Sequence, residues 1–219
     1  SLCFGVGASI LHLGKPLGAW RSFLGLRRSW LSREILAFGL LLPVAVGSLL
    51  LPENGLLACA TIVLCGMGVV SSVMIYADTR RPFWSVKWSS IRFFGTSILL
   101  GCSCMALGAD SLGVSLLLLA GVAALKLSLG IIQYTSACFA KSAKLMRGPL
   151  VGKTRTWLLF GFIGGVVIPI LCFASGLERA SLYPFLFLSW FLLVAGELLE
   201  RTLYFQAVVA PRNPRGGVR

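Results

Sequence analysis

The chain is a succession of apolar runs long enough to cross a bilayer, joined by short polar connections. A hydrocarbon layer needs about 20 helical residues to span it. Runs of that order read at Leu31–Leu51, Leu56–Tyr76, Ile91–Leu107, Leu112–Tyr134, Thr156–Ala174 and Ser181–Val209. Within lipid every backbone N–H and C=O must find an internal partner, which leaves helices or closed barrels. None of these runs alternates as a barrel strand does. The expected fold is therefore all-α, a polytopic transmembrane helix bundle with six complete helices. The opening run, Leu2–Leu13, is too short to span and reads as one partial helix.

Composition excludes the soluble alternative. Hydrophobic residues make up 57% and charged residues 12%, against about 25% charged in soluble domains, and the mean hydropathy is +0.89. A net charge of +13 could suit nucleic acid, but the basic residues fall in separate connections rather than on one patch. Membrane lipid, not nucleic acid, is the expected partner. No repeat and no soluble domain is evident, so residues 1–219 are expected to form a single membrane domain. The opening run has neither a preceding basic segment nor a following small-residue cleavage site, which argues against a signal peptide. It reads as a helix cut short by the start at Ser1.

Every second connection is basic. Lys15, Arg21, Arg27, Arg28 and Arg33 precede the first full span, Arg80, Arg81, Lys87 and Arg92 follow the second, and Lys141, Lys144, Arg147, Lys153 and Arg155 follow the fourth. Arg212, Arg215 and Arg219 close the chain, whereas the intervening connections carry Glu53, Asp110 and the balanced Glu178–Arg179. The positive-inside rule places the basic connections and the C-terminus in the cytoplasm. Trp20, Trp30, Trp84, Trp88 and Trp157 stand beside basic connections, where an indole favours the headgroup interface. Pro43 and Pro169 are expected to kink spans, and Pro52, Pro82, Pro149 and Pro184 to mark ends. The seven cysteines lie in apolar stretches and read as small core residues without disulfides.

Ionisable groups near or within lipid are the functional candidates. His12, the only histidine, lies where the opening apolar run meets a basic connection, and its imidazole can exchange a proton near neutrality. An interfacial anchor is the plainer role for it. Glu34 opens its helix, where a carboxylate complements the N-terminal dipole, and it is also placed to relay a proton. Lys126 sits near the middle of its span, at an insertion cost of about 2.5–3.5 kcal/mol, and must face the protein interior or a hydrated cavity. Glu197, Glu200, Arg201 and Tyr204 share one helical face, so Glu197 and Arg201 can pair and Glu200 can extend a structural ion cluster.

The chain shows no Walker loop, dinucleotide fingerprint, nucleophile elbow or cysteine cluster. One histidine cannot supply two axial ligands to a haem. Neither haem, iron–sulfur cluster nor molybdenum is expected in this chain, and no metal site.

Leu11-His12-Leu13-Gly14-Lys15-Pro16, running to Trp20, and then Leu31-Ser32-Arg33-Glu34-Ile35 resemble two segments of the dimethyl sulfoxide reductase membrane-anchor family (DmsC type). Met74-Ile75-Tyr76 to Phe83-Trp84, and Gly196-Glu197 to Arg201 and on to Ala210-Pro211-Arg212, resemble that family as well. Together these segments cover nearly the whole chain. The resemblance implies eight transmembrane helices in an intact member, with one helix and the start of the second missing here. It implies a multi-pass subunit of the bacterial plasma membrane that anchors a molybdopterin catalytic subunit and an iron–sulfur subunit in anaerobic respiration. Menaquinol is the implied substrate. His12 matches the quinol-site histidine and Glu34 its acidic partner, and Gly14, Pro16, Trp20 and Arg21 would line the quinol pocket. Members often carry arginine where this chain has Gly18, and the nearest arginine here is Arg21.

The competing expectations are a small carrier or channel using Lys126 with the Glu197/Arg201 cluster, and an anchor without quinone chemistry.

Overall fold

The computed structural model describes residues 25–108 and 111–208. His12, Gly14, Pro16, Trp20, Arg21, Asp110 and the basic tail lie outside the described residues. Within them the chain is all-α, without a strand. The helices are α1 (Trp30–Leu50), α2 (Gly55–Ala77), α3 (Val86–Gly108), α4 (Leu112–Thr135), α5 (Ala140–Arg147), α6 (Val151–Phe162), α7 (Ile168–Ser175) and α8 (Arg179–Gln206). A π turn over Ile163–Val167 joins α6 to α7 as one span, Val151–Ser175. Six spans are then long and apolar enough to cross a membrane, at the positions that hydropathy indicates. Helix α3 starts at Val86, ahead of its apolar run, so that Lys87 and Trp88 fall in its first turn.

These helices form two compact units, one ending at Thr79 and one beginning at Arg80. The first is the hairpin of α1 and α2. Ser29 caps α1, its hydroxyl accepting from the Ser32 amide at 3.3 Å. The Asn54 side chain caps α2 by accepting from the Leu56 and Leu57 amides, which stops one helix and starts the next within a four-residue turn. A Cβ on Gly68 would lie 2.7 Å from the Phe38 ring, so glycine is what lets that ring seat against α2.

In the second unit α4 packs on α3, α8 packs on both α3 and α6, and α4 also contacts α7. Leu99, Ala106, Leu116, Leu119, Ala123, Ile168, Leu186 and Leu193 form its apolar core. The π turn is held by a particular bond. Ile168 donates to the Ile163 carbonyl, but the next donor in that register would be Pro169, which has no N–H. The Ser189 hydroxyl of α8 donates to the Gly164 carbonyl instead, at 2.5 Å. Beside it Gly165 touches α4, where an added Cβ would stand 2.5 Å from that of Ala123. Gly165→Val is therefore expected to lower stability by about 1–3 kcal/mol through overpacking. Thermal unfolding in detergent against the wild type checks it.

Several local expectations are corrected. The basic connection after α4 contains a short amphipathic helix, α5, with Ser142, Ala143 and Met146 buried and Lys141 and Lys144 exposed. Pro184 lies inside α8 rather than at its boundary. Trp84 and Trp157 are buried against protein instead of lying free at the interface. Trp84 donates to the Tyr204 carbonyl at 3.0 Å, and Trp157 closes over Gly130. Among the described cysteines only Cys172 is buried, while Cys59, Cys65, Cys104 and Cys138 are exposed on the apolar outer surface or the connections. Lipid accepts a small apolar thiol as readily as a core does.

Candidate functional site

Two groups of polar side chains interrupt the apolar spans, one in each unit. In the first, Glu34 lies in the second turn of α1, because the Ser29 cap starts the helix at Trp30. That is beyond the first turn, where the dipole acts, so the dipole-capping role expected for this carboxylate does not apply. Glu34 turns instead toward α2, where the buried Ser72 hydroxyl donates to it. Next to it Arg33 is tied down by the chain that precedes the helix. Its Nε donates to the Leu26 carbonyl at 2.8 Å and its Nη2 to the Arg27 carbonyl at 3.1 Å, and its guanidinium lies over Trp30. Between α1 and α2 an open groove of about 550 Å³ starts at Trp30 and Arg33 and continues along apolar side chains such as Leu40, Val63 and Met67. A partly ionised, partly aromatic rim above an apolar wall suits an amphipathic ligand with a polar head and a long apolar tail.

The second group is buried among α3, α4 and α8. Lys126, only 7% exposed, donates to both oxygens of Glu197 and to Glu200, and its Nζ is 3.2 Å from Thr96 Oγ1. Thr96 also donates to Glu197 Oε2 at 2.5 Å. Arg92 forms the other end: its Nε donates to Gln133 Oε1 at 2.9 Å and its Nη1 stands 3.7 Å from Glu200 Oε1. The Phe83 and Tyr204 rings flank the Arg92 guanidinium, and Ser89 and Tyr204 share a hydrogen bond of 2.8 Å. The glycine at Gly95 leaves the Lys126 stem room, since a Cβ there would be 3.2 Å from its Cε. Two cations thus face two carboxylates, and the group is neutral in the depth of the membrane, as burial of charge requires.

This arrangement changes one expected pairing. Glu197 takes Lys126 of α4 as its cation, not Arg201 one turn along its own helix, whose guanidinium lies 3.6 Å from the centre of the Phe93 ring. A mid-span lysine has nowhere else to place its charge, whereas Arg201 is nearer the helix end and can settle on an aromatic face. Glu197 and Glu200 do belong to one cluster. Arg92, Gln133 and Thr96 join it without any signal in the sequence. Residue 92 reads as part of a basic connection, and nothing in local spacing links it to residue 200.

Among the described residues no group of three or more His, Cys, Asp or Glu side chains could hold a metal.

A sulfite dehydrogenase component of Allochromatium vinosum is 28% identical to this chain over 98 residues, a stretch that covers 40% of this chain and 30% of that protein. The match therefore spans under a third of the relative's length. No solved structure matches. The model of the family described as DMSO reductase anchor subunit (DmsC) matches residues 2–206, which takes in the His12 segment, both hairpin helices and the charged cluster. The chain belongs to the DMSO reductase anchor subunit (DmsC) family.

Proposed function

We propose that this chain anchors an oxidoreductase in the plasma membrane and oxidises menaquinol for it, handing electrons to an iron–sulfur subunit that feeds a molybdopterin catalytic subunit. The observation that carries the reading is the open groove of the membrane hairpin, with Trp30 and Arg33 at its rim above an apolar wall, and with Glu34, next to Arg33 in the chain, hydrogen-bonded to Ser72 between the same two helices. The family match, which runs through His12, supports it. So does the relative whose name makes it part of a sulfite dehydrogenase.

In this reading a quinol head lies at the basic end of the hairpin with its isoprenoid tail along apolar side chains. His12 accepts a hydroxyl proton as the electrons leave, and Glu34 passes protons on toward the basic connection. Gly14, Pro16, Trp20 and Arg21 complete the pocket around the head. A hydrogen-bonded carboxylate suits a relay, because Ser72 holds it in one orientation while leaving its other oxygen able to take a proton. The carrier reading is weaker. Of the charges it relies on, Lys126 and Glu197 pair with each other and Arg201 lies on the Phe93 ring, and no broken half-helix pair lines a midplane cavity among the described residues.

Affinity purification of the full-length protein from its native membrane tests the anchor role. The expected result is a stoichiometric complex containing molybdenum and iron. Isolation only as a free protein with transport activity would overturn it.

A further inference from the structure

In and beside the charged cluster of the second unit three buried nitrogens have hydrogens to donate and no acceptor. Arg92 Nη1, Gln133 Nε2 and Arg201 Nη1 have no hydrogen-bond partner, and Arg92 and Gln133 are only 5% and 1% exposed. The 3.7 Å separation of Arg92 Nη1 and Glu200 Oε1 is an ion contact too long for a direct hydrogen bond, which leaves that buried donor for another oxygen. At Lys126 and Glu197 a cavity of about 10 Å³, about the size of one water, is otherwise bounded by apolar side chains such as Leu99, Leu193 and Trp157.

The polar residues are also graded by depth. Gln133 and Tyr204 lie in the last turns of α4 and α8, and Arg92 lies in the second turn of α3. Lys126 is nine residues before the end of α4, roughly 14 Å at the rise of an α-helix. That is close to the middle of a hydrocarbon layer roughly 30 Å thick. Beyond Lys126 no charged side chain is buried: Leu99, Leu116, Leu119 and Leu193 close the unit, and the hydroxyls of Ser103, Ser115 and Ser189 there are spent on backbone carbonyls.

We propose that this cluster is a hydrated well: a short column of bound water, filled from the basic ends of α3, α4 and α8, held by Arg92, Gln133 and Glu200, and stopped at Lys126 by the leucine core. Such a column brings protons from one face to Glu197 and Glu200 without a path to the other face. The groups facing those carboxylates are Lys126 from α4, Arg92 and Thr96 from α3, and Arg201 and Tyr204 from their own helix. A proton taken up by Glu197 converts a carboxylate to a carboxylic acid and raises the charge of the cluster by one, which the bound water spreads. The inference stands apart from the quinol reading and does not require it.

X-ray hydroxyl-radical footprinting of the full-length protein in nanodiscs tests it, because radicals formed on bound water oxidise the side chains that touch that water. Tyr204 and Met146 are both almost fully buried, at 0% and 2% exposure. The expected result is oxidation of Tyr204 and Phe93 about tenfold faster than of Met146, although methionine is the more reactive side chain. Gln133→Leu, which fills the same volume without a donor, should reduce the labelling of Tyr204 and Phe93 toward the Met146 rate. Labelling of Tyr204 and Phe93 as slow as that of Met146 in the wild type would show a dry ion cluster and overturn the proposal, whether or not the variant folds. Fast labelling that Gln133→Leu leaves unchanged would equally overturn the assignment of the column to these residues.

Discussion

Membranes expressing Lys126→Met are expected to hold little folded protein. The substitution removes the cation that bonds both Glu197 and Glu200 and leaves Arg92 as the one ion-pair partner of two buried carboxylates among the described residues. Breaking a buried pair on one side costs about 3–5 kcal/mol, because the remaining charge has lost both its solvent and its partner. That is a large part of the total stability of an ordinary domain, about 5–15 kcal/mol. The double variant Lys126→Met, Glu197→Leu should recover most of the loss, since it removes the charges together and leaves Glu200 with Arg92. Steady-state protein level and thermal unfolding in detergent, measured on wild type, single and double variants, decide the matter. A double variant as unstable as the single one would show that Lys126 and Glu197 do not act as a pair.

His12→Arg is expected to abolish quinol-linked turnover while leaving the assembled complex active with an artificial donor. An arginine is permanently protonated and cannot accept the hydroxyl proton, though it keeps a cationic, interfacial side chain. Loss of a positioned general base costs about 10²–10⁴ in rate. Direct reduction of the partner subunits bypasses the quinol, so that rate should stay at the wild-type level. If His12 only anchors a helix end, arginine or glutamine should be tolerated in both assays. Menaquinol-linked and artificial-donor rates measured on the same membranes separate the two, and near-normal quinol oxidation in the arginine variant would move the quinone site elsewhere. Glu34→Gln should lie between them, because an amide still accepts the Ser72 hydrogen bond but cannot carry a proton.

What the sequence alone determined about this protein is whatever the bilayer imposes residue by residue. Span length and hydropathy are local quantities, and lipid leaves a backbone few ways to satisfy its hydrogen bonds, so the six spans were legible to within a few residues at most ends. The inward orientation of Lys126 followed for the same reason, since a lone ammonium in hydrocarbon is too costly to leave exposed. The break at Pro52 could be read from the residue type, since proline cannot continue a helix.

Tertiary structure decided which partner each charge took. Glu197 had a cation one turn away on its own helix and another 71 residues earlier in the chain, and only the packing of α4 and α8 on α3 put Lys126 on its carboxylate. Arg92 reads in the sequence as one more positive-inside residue. Its place beside Gln133 and Glu200 depends on where three separate helices meet. The same holds for Trp84, whose position in the chain suits a headgroup anchor and whose indole is instead bonded to Tyr204, 120 residues away. The π turn was hidden in Gly164-Gly165 and Pro169, a pattern that could have bent or broken the helix, and the hydroxyl of Ser189 selected the outcome. Hydropathy acts on each residue separately, but an ion pair or a buried hydrogen bond needs two, and the distance between them is set only when the helices pack.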